Sequence, residues 1–116
     1  MRCFESLRIW QQAREIVADI YHLTQSVSDY GFNDQIRRAA VSVMNNIAEG
    51  SEYESDPAFI RFLRIAKGSC AEVKSMLYLC YDLKYAPEND CAILQDKLTI
   101  LSGGIYNMIK KIENLK

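Results

Sequence analysis

Residues and motifs that would mark common function classes are rare or missing in this 116-residue chain. It has one histidine, His22, no C-x-x-C pair among four cysteines, and no glycine-rich phosphate loop ahead of a helix. The Glu-x-x-His motif of di-iron bundles is missing too. A histidine without a patterned acid and nucleophile is more often a surface or packing residue than a catalyst. We therefore expect no catalytic residue, no metal site and no cofactor, and predict that the protein is not an enzyme.

Proline and glycine are also scarce, with two and five residues, which favours long uninterrupted elements. The hydrophobic content of 49% and charged content of 25% are typical of a globular chain, and we predict one domain over residues 1–116. The segment MRCFESLRIW lacks the apolar region of a signal peptide, and no run reaches the roughly 18 apolar residues of a membrane span. We expect a cytoplasmic protein without membrane contact. Its cysteines are then reduced thiols, with Cys70 and Cys80 packed as small apolar residues.

Four segments show the apolar spacing of amphipathic helices: about 6–26, 33 or 34 to 49, 56–85 and 90–114. Short connections between long helices favour antiparallel neighbours, so we predict an all-α, up-down-up-down four-helix bundle. The predicted inner faces are Ile9, Ala13, Ile16, Ile20, Leu23 and Val27; Ile36, Ala40, Val43 and Ile47; Phe59, Leu63, Ala66, Cys70, Val73, Leu77 and Cys80; and Leu94, Leu98, Leu101, Ile105, Met108, Ile112 and Leu115.

Polar and small residues suggest where these helices begin and end. Asn33 or Asp34 is a plausible N-cap of the second helix, and Gly50 a plausible stop. Ser55 or Asp56 can cap the third helix, since proline is tolerated in the first turn that follows. The pair Gly103-Gly104 falls inside the fourth helix, where we expect it to allow close approach of a neighbour.

The third helix carries more apolar surface than one bundle requires. A second row lies beside its inner face: Phe62, Ile65, Met76, Leu79 and Leu83. Such an excess predicts contact between subunits. We expect the first helix and this row to form that contact.

A polar network is predicted between the second and third helices, from Arg38, Ser42, Asn46, Glu49, Ser69 and Glu72. If the chain turns near residues 53 and 54, residues whose numbers add to about 107 face each other. Arg38 then lies opposite Ser69 and can pair with Glu72 one turn further along. A structural role, fixing helix register, and a binding role both remain open.

Several motifs in these helices match a known family. They are Gln35-Ile36-Arg37-Arg38-Ala39-Ala40-Val41-Ser42-Val43, Asn46-Ile47-Ala48-Glu49-Gly50, the run from Phe59 to Ser69, and Glu72, with Leu7, Trp10, Ala13, Leu83 and Tyr85 outside them. The chain resembles the bacterial four-helix bundle proteins encoded in intervening sequences of large-subunit rRNA genes. The resemblance implies a ring-like homopentamer, and a fold similar to the accessory variability determinant of diversity-generating retroelements, a basic pentamer that binds nucleic acid and a reverse transcriptase.

These observations lead to two hypotheses about function. The first is a non-catalytic, homo-oligomeric scaffold or interaction module, with itself as partner. The alternative is an accessory protein that binds RNA, DNA or a nucleic-acid enzyme through a basic belt of Arg37, Arg61, Arg64, Lys67 and Lys74. The net charge of −1 gives no global attraction for phosphates, and Ser51-Glu52-Tyr53-Glu54 is acidic where relatives often carry basic residues.

Overall fold

The computed structural model describes residues 2–114 and is helical throughout apart from short connections. A 3-10 helix at Phe4–Ser6 precedes four α-helices: α1 (Arg8–Leu23), α2 (Tyr30–Ser51), α3 (Asp56–Asp82) and α4 (Glu88–Asn114). No strand occurs in the described part of the chain. The predicted all-α four-helix bundle is confirmed, and its principal extents are 47 × 20 × 20 Å.

Each helix packs against two others. α1 and α3 both contact α2 and α4, and within residues 2–114 neither diagonal pair, α1 with α3 or α2 with α4, is in contact. The α2–α3 face is therefore opposite the α1–α4 face, and the α1–α2 face is opposite the α3–α4 face. Residue numbers rise on one helix as they fall on its neighbour: Ile9 lies against Gly104, and Glu15 bonds Lys97 further back along α4. The same holds for α2 and α3, where Ser42 lies against Ser69 and Gly50 against Phe62. It holds for α3 and α4 through the Arg64–Glu113 and Lys74–Thr99 contacts, so adjacent helices are antiparallel.

The core lies along the predicted inner faces. All the predicted positions in α2 and α3 are buried, as are most of those in α1 and α4. Leu23, Val27 and Met108 are only partly buried, while Cys91 and Ile109 complete the α4 seam. Leu115, the last predicted seam position, lies outside the described residues. Spacing alone therefore identified nearly the whole core, because burial in a bundle follows helical periodicity.

The prediction for the start of α2 was wrong by one turn. Asp29 caps the helix, and its carboxylate accepts a hydrogen bond from the Phe32 amide at 3.1 Å. Asn33 is instead buried inside the first turn, where its Nδ2 donates to the Val27 carbonyl at 2.7 Å. The turn-forming pair Tyr30-Gly31 belongs to the helix, since a glycine in the first turn does not stop it.

Gly50 does not end α2, contrary to the prediction. The helix continues to Ser51, and no glycine in the described chain has a positive φ. A Cβ at position 50 would lie 2.6 Å from the Phe62 Cβ, so glycine is required here because α2 and α3 approach closely. A Cβ at position 104 would lie 3.1 Å from the Ile9 Cγ2, a milder contact, whereas a Cβ at position 103 would meet nothing within 4 Å.

Two side-chain contacts tie the loops at the ends of the bundle. Arg2 donates to the Tyr53 carbonyl at 2.6 Å and pairs with Asp56, which fastens the N-terminal segment to the α2–α3 connection. At the other end, the Tyr85 hydroxyl donates to the Asp29 Oδ2 at 2.7 Å. This bond lowers the pKa of Asp29 and raises the pKa of Tyr85. It joins the α1–α2 connection to the segment after α3.

The predicted caps and thiols of α3 are confirmed in part. Ser55, one of the two alternatives, caps α3 and accepts a hydrogen bond from the Ala58 amide at 3.4 Å. Cys70 and Cys80 are buried, and burial raises the pKa of each thiol to about 12. Cys91 is also buried, with a raised pKa, while Cys3 is exposed. The buried thiols therefore behave as small apolar residues of the core.

Candidate functional site

Two members of the predicted polar network, Ser42 and Ser69, join α2 to α3, and a third, Asn46, bonds Ser42 on α2. The hydroxyls of Ser42 and Ser69 share a hydrogen bond at 2.9 Å. Asn46 Nδ2 donates to the Ser42 carbonyl at 2.8 Å and to its hydroxyl oxygen at 3.0 Å. These half-buried bonds fix which residues of the two helices face each other, which is a structural role.

The predicted Arg38–Glu72 ion pair is wrong. Arg38 is exposed and its Nε donates to both carboxylate oxygens of Asp34, at 3.0 and 2.9 Å, one turn earlier on the same helix. Glu72 and Glu49 are exposed, and within residues 2–114 neither side chain forms an ion pair. A partner four residues away needs less ordering than one across a helix interface, so the local pair forms.

The second apolar row of α3 divides into two parts. Met76 is buried in the core, and Phe62 is half-buried and stacks on Tyr53 with 5.2 Å between ring centroids. The remaining members stay 44–47% exposed: Ile65, Leu79 and Leu83, named here the α3 patch. Helical spacing from Ser69, which bonds α2, places the α3 patch on the α2–α3 face.

A second group of exposed aliphatic side chains lies on α4. Ile93 and Ile100, named here the α4 patch, are 49% and 64% exposed. They flank Lys97, whose ammonium bonds the carboxylates of Asp19 at 2.9 Å and Glu15 at 3.0 Å on α1. The α4 patch therefore lies toward the α1–α4 face, opposite the α3 patch. Sequence reasoning missed it, although the seven-residue spacing of the two isoleucines was a visible signal.

Electrostatics at the α4 patch are balanced locally. The hydrogen bonds that Lys97 donates to Asp19, and to a lesser extent to Glu15, raise the pKa of Lys97, against a smaller opposing effect of burial. The cation between the two isoleucines is thus held by two anions. It does not present a free positive charge to a partner.

The residues of the predicted basic belt fall on different faces. Arg64 pairs with Glu113 on α4 at 3.3 Å, and Lys74 Nζ donates to the Thr99 hydroxyl at 2.8 Å, so both lie toward the α3–α4 face. Arg37 lies on the opposite, α1–α2 face, and the structure does not bring it together with the others. Arg61 is exposed at the edge of α3, with its guanidinium carbon 5.4 Å from the Phe62 ring centroid; Lys67 is half-buried.

The α3–α4 face contains two residues that sequence reasoning missed. Tyr106 is 49% exposed, and the Lys110 ammonium lies 5.6 Å from its ring centroid. Lys110 also approaches Glu113, the partner of Arg64, at 3.7 Å. A tyrosine therefore stands among the basic residues of this face. The signal was the four-residue spacing of Tyr106 and Lys110, seven and eleven residues after Thr99.

Within residues 2–114, no three histidine, cysteine, aspartate or glutamate side chains come close enough together to hold a metal ion. His22 is exposed on α1. Among the helices of the same residues, none combines the length and apolar character that crossing a membrane requires. The features that stand out are surfaces: two apolar patches, the basic α3–α4 face and a polar groove on the α1–α2 face.

Comparison with known proteins agrees with this architecture. Residues 5–107 match the family described as 23S rRNA-intervening sequence protein. The chain belongs to this family. A protein of unknown function from the S23 ribosomal protein family of Bacteroides thetaiotaomicron has a similar crystal structure, with a TM-score of 0.82 and 22% sequence identity. The match covers 88% of this chain and 98% of that one. No curated protein matches the sequence.

Membership in the family confirms the resemblance inferred from the motifs of α2 and α3. The S23 neighbour, at 22% identity, supports the fold alone. Function must therefore be argued from the surfaces of this chain.

Proposed function

We propose that the protein is a non-catalytic scaffold that assembles with copies of itself into a closed ring. The observation that carries the proposal is the α3 patch, three aliphatic side chains that the protomer leaves nearly half exposed along one face. Covering the rest of each would stabilise an assembly by about 1 kcal/mol, because full burial of such a side chain is worth about 1.5–3 kcal/mol. Aligned exposed apolar residues mark interaction sites.

The positions of the two patches favour head-to-tail contact, which forms a closed ring when neighbouring copies are rotated by the right amount, over a symmetric dimer. A ring needs two different surfaces on each subunit, one for each neighbour, whereas a two-fold dimer uses one surface twice. The α3 patch and the α4 patch lie on opposite faces of the bundle. Docking the α3 patch of one copy on the α4 patch of the next uses both. The pentamer implied by the family resemblance is one such closed ring.

Light scattering coupled to size-exclusion chromatography tests the proposal directly. We expect the wild-type chain to elute as an oligomer at micromolar concentration, and Leu79→Glu to elute as a smaller species because a charge cannot be buried at the contact. Tyr78→Glu is the matched control: Tyr78 is 62% exposed on the same helix but points toward α4. A wild-type monomer, or equal effects of both substitutions, would contradict the proposal.

Mixing two variants distinguishes the ring from the symmetric dimer. Leu79→Glu keeps an intact α4 patch, and Ile100→Glu keeps an intact α3 patch. If the contact joins unlike patches, neither variant assembles alone, yet their mixture forms a one-to-one heterodimer with a single intact contact. If like patches meet, at least one variant dimerises alone. Circular dichroism on each variant separates loss of contact from loss of fold.

A second function, nucleic-acid binding, is supported by the composition of the α3–α4 face. Arg64, Lys74 and Lys110 lie along this face, and Tyr106 adds an exposed ring on which a base can stack. Lys67 lies seven residues before Lys74 and therefore on the same side of α3. Copies of such a face in a ring would act together, and phosphate affinity rises with the number of simultaneous contacts. This version of the basic belt omits Arg37 and adds Lys110.

A salt titration of binding to single-stranded RNA and DNA tests the second function. We expect affinity to fall with ionic strength, and the double variant Lys67→Gln, Lys74→Gln to bind weakly with a shallower salt dependence. Lys111→Gln is the single-charge control, because Lys111 lies fourteen residues after Lys97 and so on the α1 side of α4. Affinity that is unchanged in the double variant, or absent near physiological salt, rejects this function.

A further inference from the structure

The guanidinium of Arg37 is held in one orientation on the α1–α2 face. Its Nε donates to the Thr24 hydroxyl oxygen at 3.0 Å, and its central carbon lies 4.5 Å from the Tyr21 ring centroid. Thr24 is itself fully buried and donates to the Ile20 carbonyl at 2.8 Å. Both anchors come from α1. An arginine fixed on one edge and one face loses little further freedom when it binds a ligand.

The contacts with Thr24 and Tyr21 do not use the two terminal nitrogens of Arg37. Within residues 2–114, no hydrogen bond engages either of its Nη groups. Arg37 lines an open groove of about 830 Å³ that runs along the outer side of α2. Paired Nη groups facing such a groove match the two oxygens of an oxyanion, which they can bind with two parallel hydrogen bonds.

The groove around Arg37 differs in charge and character from the chain as a whole. Its ionised lining residues are Asp34, Arg37 and Arg38, a local balance of +1 in a chain of net charge −1. Tyr30, at the start of α2, also lines it and is 88% exposed. An exposed tyrosine ring beside two guanidinium groups suits a ligand with a planar part and an anionic part.

One buried polar atom at the groove lacks a partner. Asn33 is 7% exposed and lines the groove, and its Oδ1 is the single buried side-chain oxygen or nitrogen in the described residues without a hydrogen bond. Its Nδ2 is already bonded to the Val27 carbonyl of the α1–α2 connection. A buried carbonyl oxygen in this state calls for an N–H or O–H donor.

We propose that the Arg37 groove binds a nucleotide, with the phosphate on the Nη groups of Arg37 and the base against Tyr30. Arg38 also lines the groove, but Asp34 balances its charge, so Arg37 supplies the net positive charge that attracts the phosphate. An amino group of the base or a ribose hydroxyl supplies the donor that Asn33 lacks. Arg37 lies on the face opposite the α3–α4 face, so the site is separate from the proposed nucleic-acid surface. Arg38 and Ser42, at the other edge of the groove, also border the α2–α3 face.

The test is titration of the isotopically labelled full chain with AMP, inorganic phosphate and adenosine, followed by NMR. AMP should shift the signals of Arg37, Tyr30 and Asn33; phosphate should shift those of Arg37 more weakly; and adenosine should have little effect. Arg37→Lys should weaken AMP binding about tenfold or more, because an ammonium loses the paired geometry. The control is Arg14→Gln, since Arg14 also lies over an aromatic ring, with 5.7 Å to the Trp10 centroid, and lies two turns before Tyr21 on the same side of α1, but does not line this groove.

Each other outcome overturns the proposal. A nucleotide site here is rejected if AMP binds the Arg37→Lys variant as tightly as the wild type. It is also rejected if adenosine binds as tightly as AMP, or if acetate displaces AMP as effectively as phosphate does. A short oligonucleotide, tested in parallel, identifies the source of the nucleotide. If it shifts the same signals more strongly than AMP, the groove takes a nucleotide within a chain; if AMP is stronger, it takes the free nucleotide. Tyr30→Ala should weaken AMP several-fold while leaving phosphate unchanged.

Discussion

Four helical glycines allow one chemical change to be compared at three levels of crowding: open space at two of them, a moderate contact at the third and a severe one at the fourth. Replacing a glycine in a helix interior by alanine stabilises the helix by about 1 kcal/mol when nothing else changes. Gly68 and Gly103 are surrounded by open space, since an added Cβ would meet nothing within 4 Å. We therefore expect Gly68→Ala and Gly103→Ala each to raise the free energy of unfolding by about 0.5–1 kcal/mol.

Gly50→Ala should have the opposite sign. Its added Cβ would lie 2.6 Å from the Phe62 Cβ and 3.1 Å from the Phe59 Cδ1. The Phe62 Cβ is fixed to the α3 backbone, so the contact is relieved only when the two helices move apart. Forcing an extra methyl group into a packed interface costs about 1–3 kcal/mol, which exceeds the gain in helix propensity. The expected net change is a loss of about 1–2 kcal/mol.

Gly104→Ala falls between these cases. Its Cβ would meet the Ile9 Cγ2 at 3.1 Å, and that methyl group can move by a few tenths of an ångström. We expect a change in stability close to zero. Comparing Gly104→Ala with Gly50→Ala therefore separates a contact that a side-chain movement relieves from one that requires the helix backbones to move.

Urea unfolding followed by circular dichroism measures all four variants. Protein concentration must be the same throughout, because assembly would make the apparent stability depend on it. Gly50→Ala and Gly68→Ala should differ by roughly 2 kcal/mol in unfolding free energy, with similar slopes against urea. If Gly50→Ala is as stable as Gly68→Ala, the close approach of α2 and α3 at Gly50 is wrong.

Three further predictions concern side chains elsewhere in the bundle. A thiol reagent at pH 8 should modify Cys3 alone in the folded chain and all four thiols in urea. Cys70, Cys80 and Cys91 are protected in the folded chain because they are buried and their pKa values are raised. Rapid modification of a second thiol would contradict their burial. Tyr85→Phe should lower the melting temperature at neutral pH, because it removes the hydrogen bond to Asp29. That bond lowers the pKa of Asp29 in the folded chain, so the stability it gives is present above about pH 4 and is lost as pH falls through the pKa of folded Asp29. The difference in melting temperature between the variant and the wild type should therefore shrink at acidic pH. A pH-independent deficit would rule out that linkage. Ser42→Ala should destabilise the chain by about 0.5–1.5 kcal/mol, because it removes the hydrogen bond to Ser69. The double variant Ser42→Ala, Ser69→Ala should be destabilised by little more, which a double-mutant cycle in urea measures. Additive losses would mean that the two hydroxyls do not interact.

The sequence predicted the core well because core positions in a bundle obey local periodicity. Every inner-face position predicted for α3, from Phe59 to Cys80, is buried. Helix ends were harder to predict. Gly50 near the end of an apolar repeat fits both a C-terminal stop and a close helix contact, and only the position of Phe62 in space distinguishes them.

The polar contacts between α2 and α3 were mispredicted because of helix register. The expected facing pairs, with numbers adding to about 107, placed Arg38 opposite Ser69; instead Ser42 faces Ser69, one turn later on α2. The connection, residues 52–55, is still centred between residues 53 and 54, so the position of the turn does not explain the difference. The two helices leave the connection asymmetrically, since Gly50 lies against Phe62 with the same one-turn offset. A shift of one turn keeps each residue on the same side of its helix, so Ser42, Asn46 and Ser69 still meet while the long-range ion pair does not form.

The square arrangement of the four helices connects the proposals made here. If a ring forms through the α3 patch and the α4 patch, it covers the α2–α3 and α1–α4 faces and leaves the other two faces open. One open face then lines the inside of the ring and the other its outer surface. The basic residues beside Tyr106 and the groove at Arg37 lie on these two remaining faces. A charged ligand on the α3–α4 face would thus bind away from the contacts between subunits, whereas one in the Arg37 groove would approach the covered α2–α3 face at Arg38 and Ser42. Several copies of each site would act within one assembly.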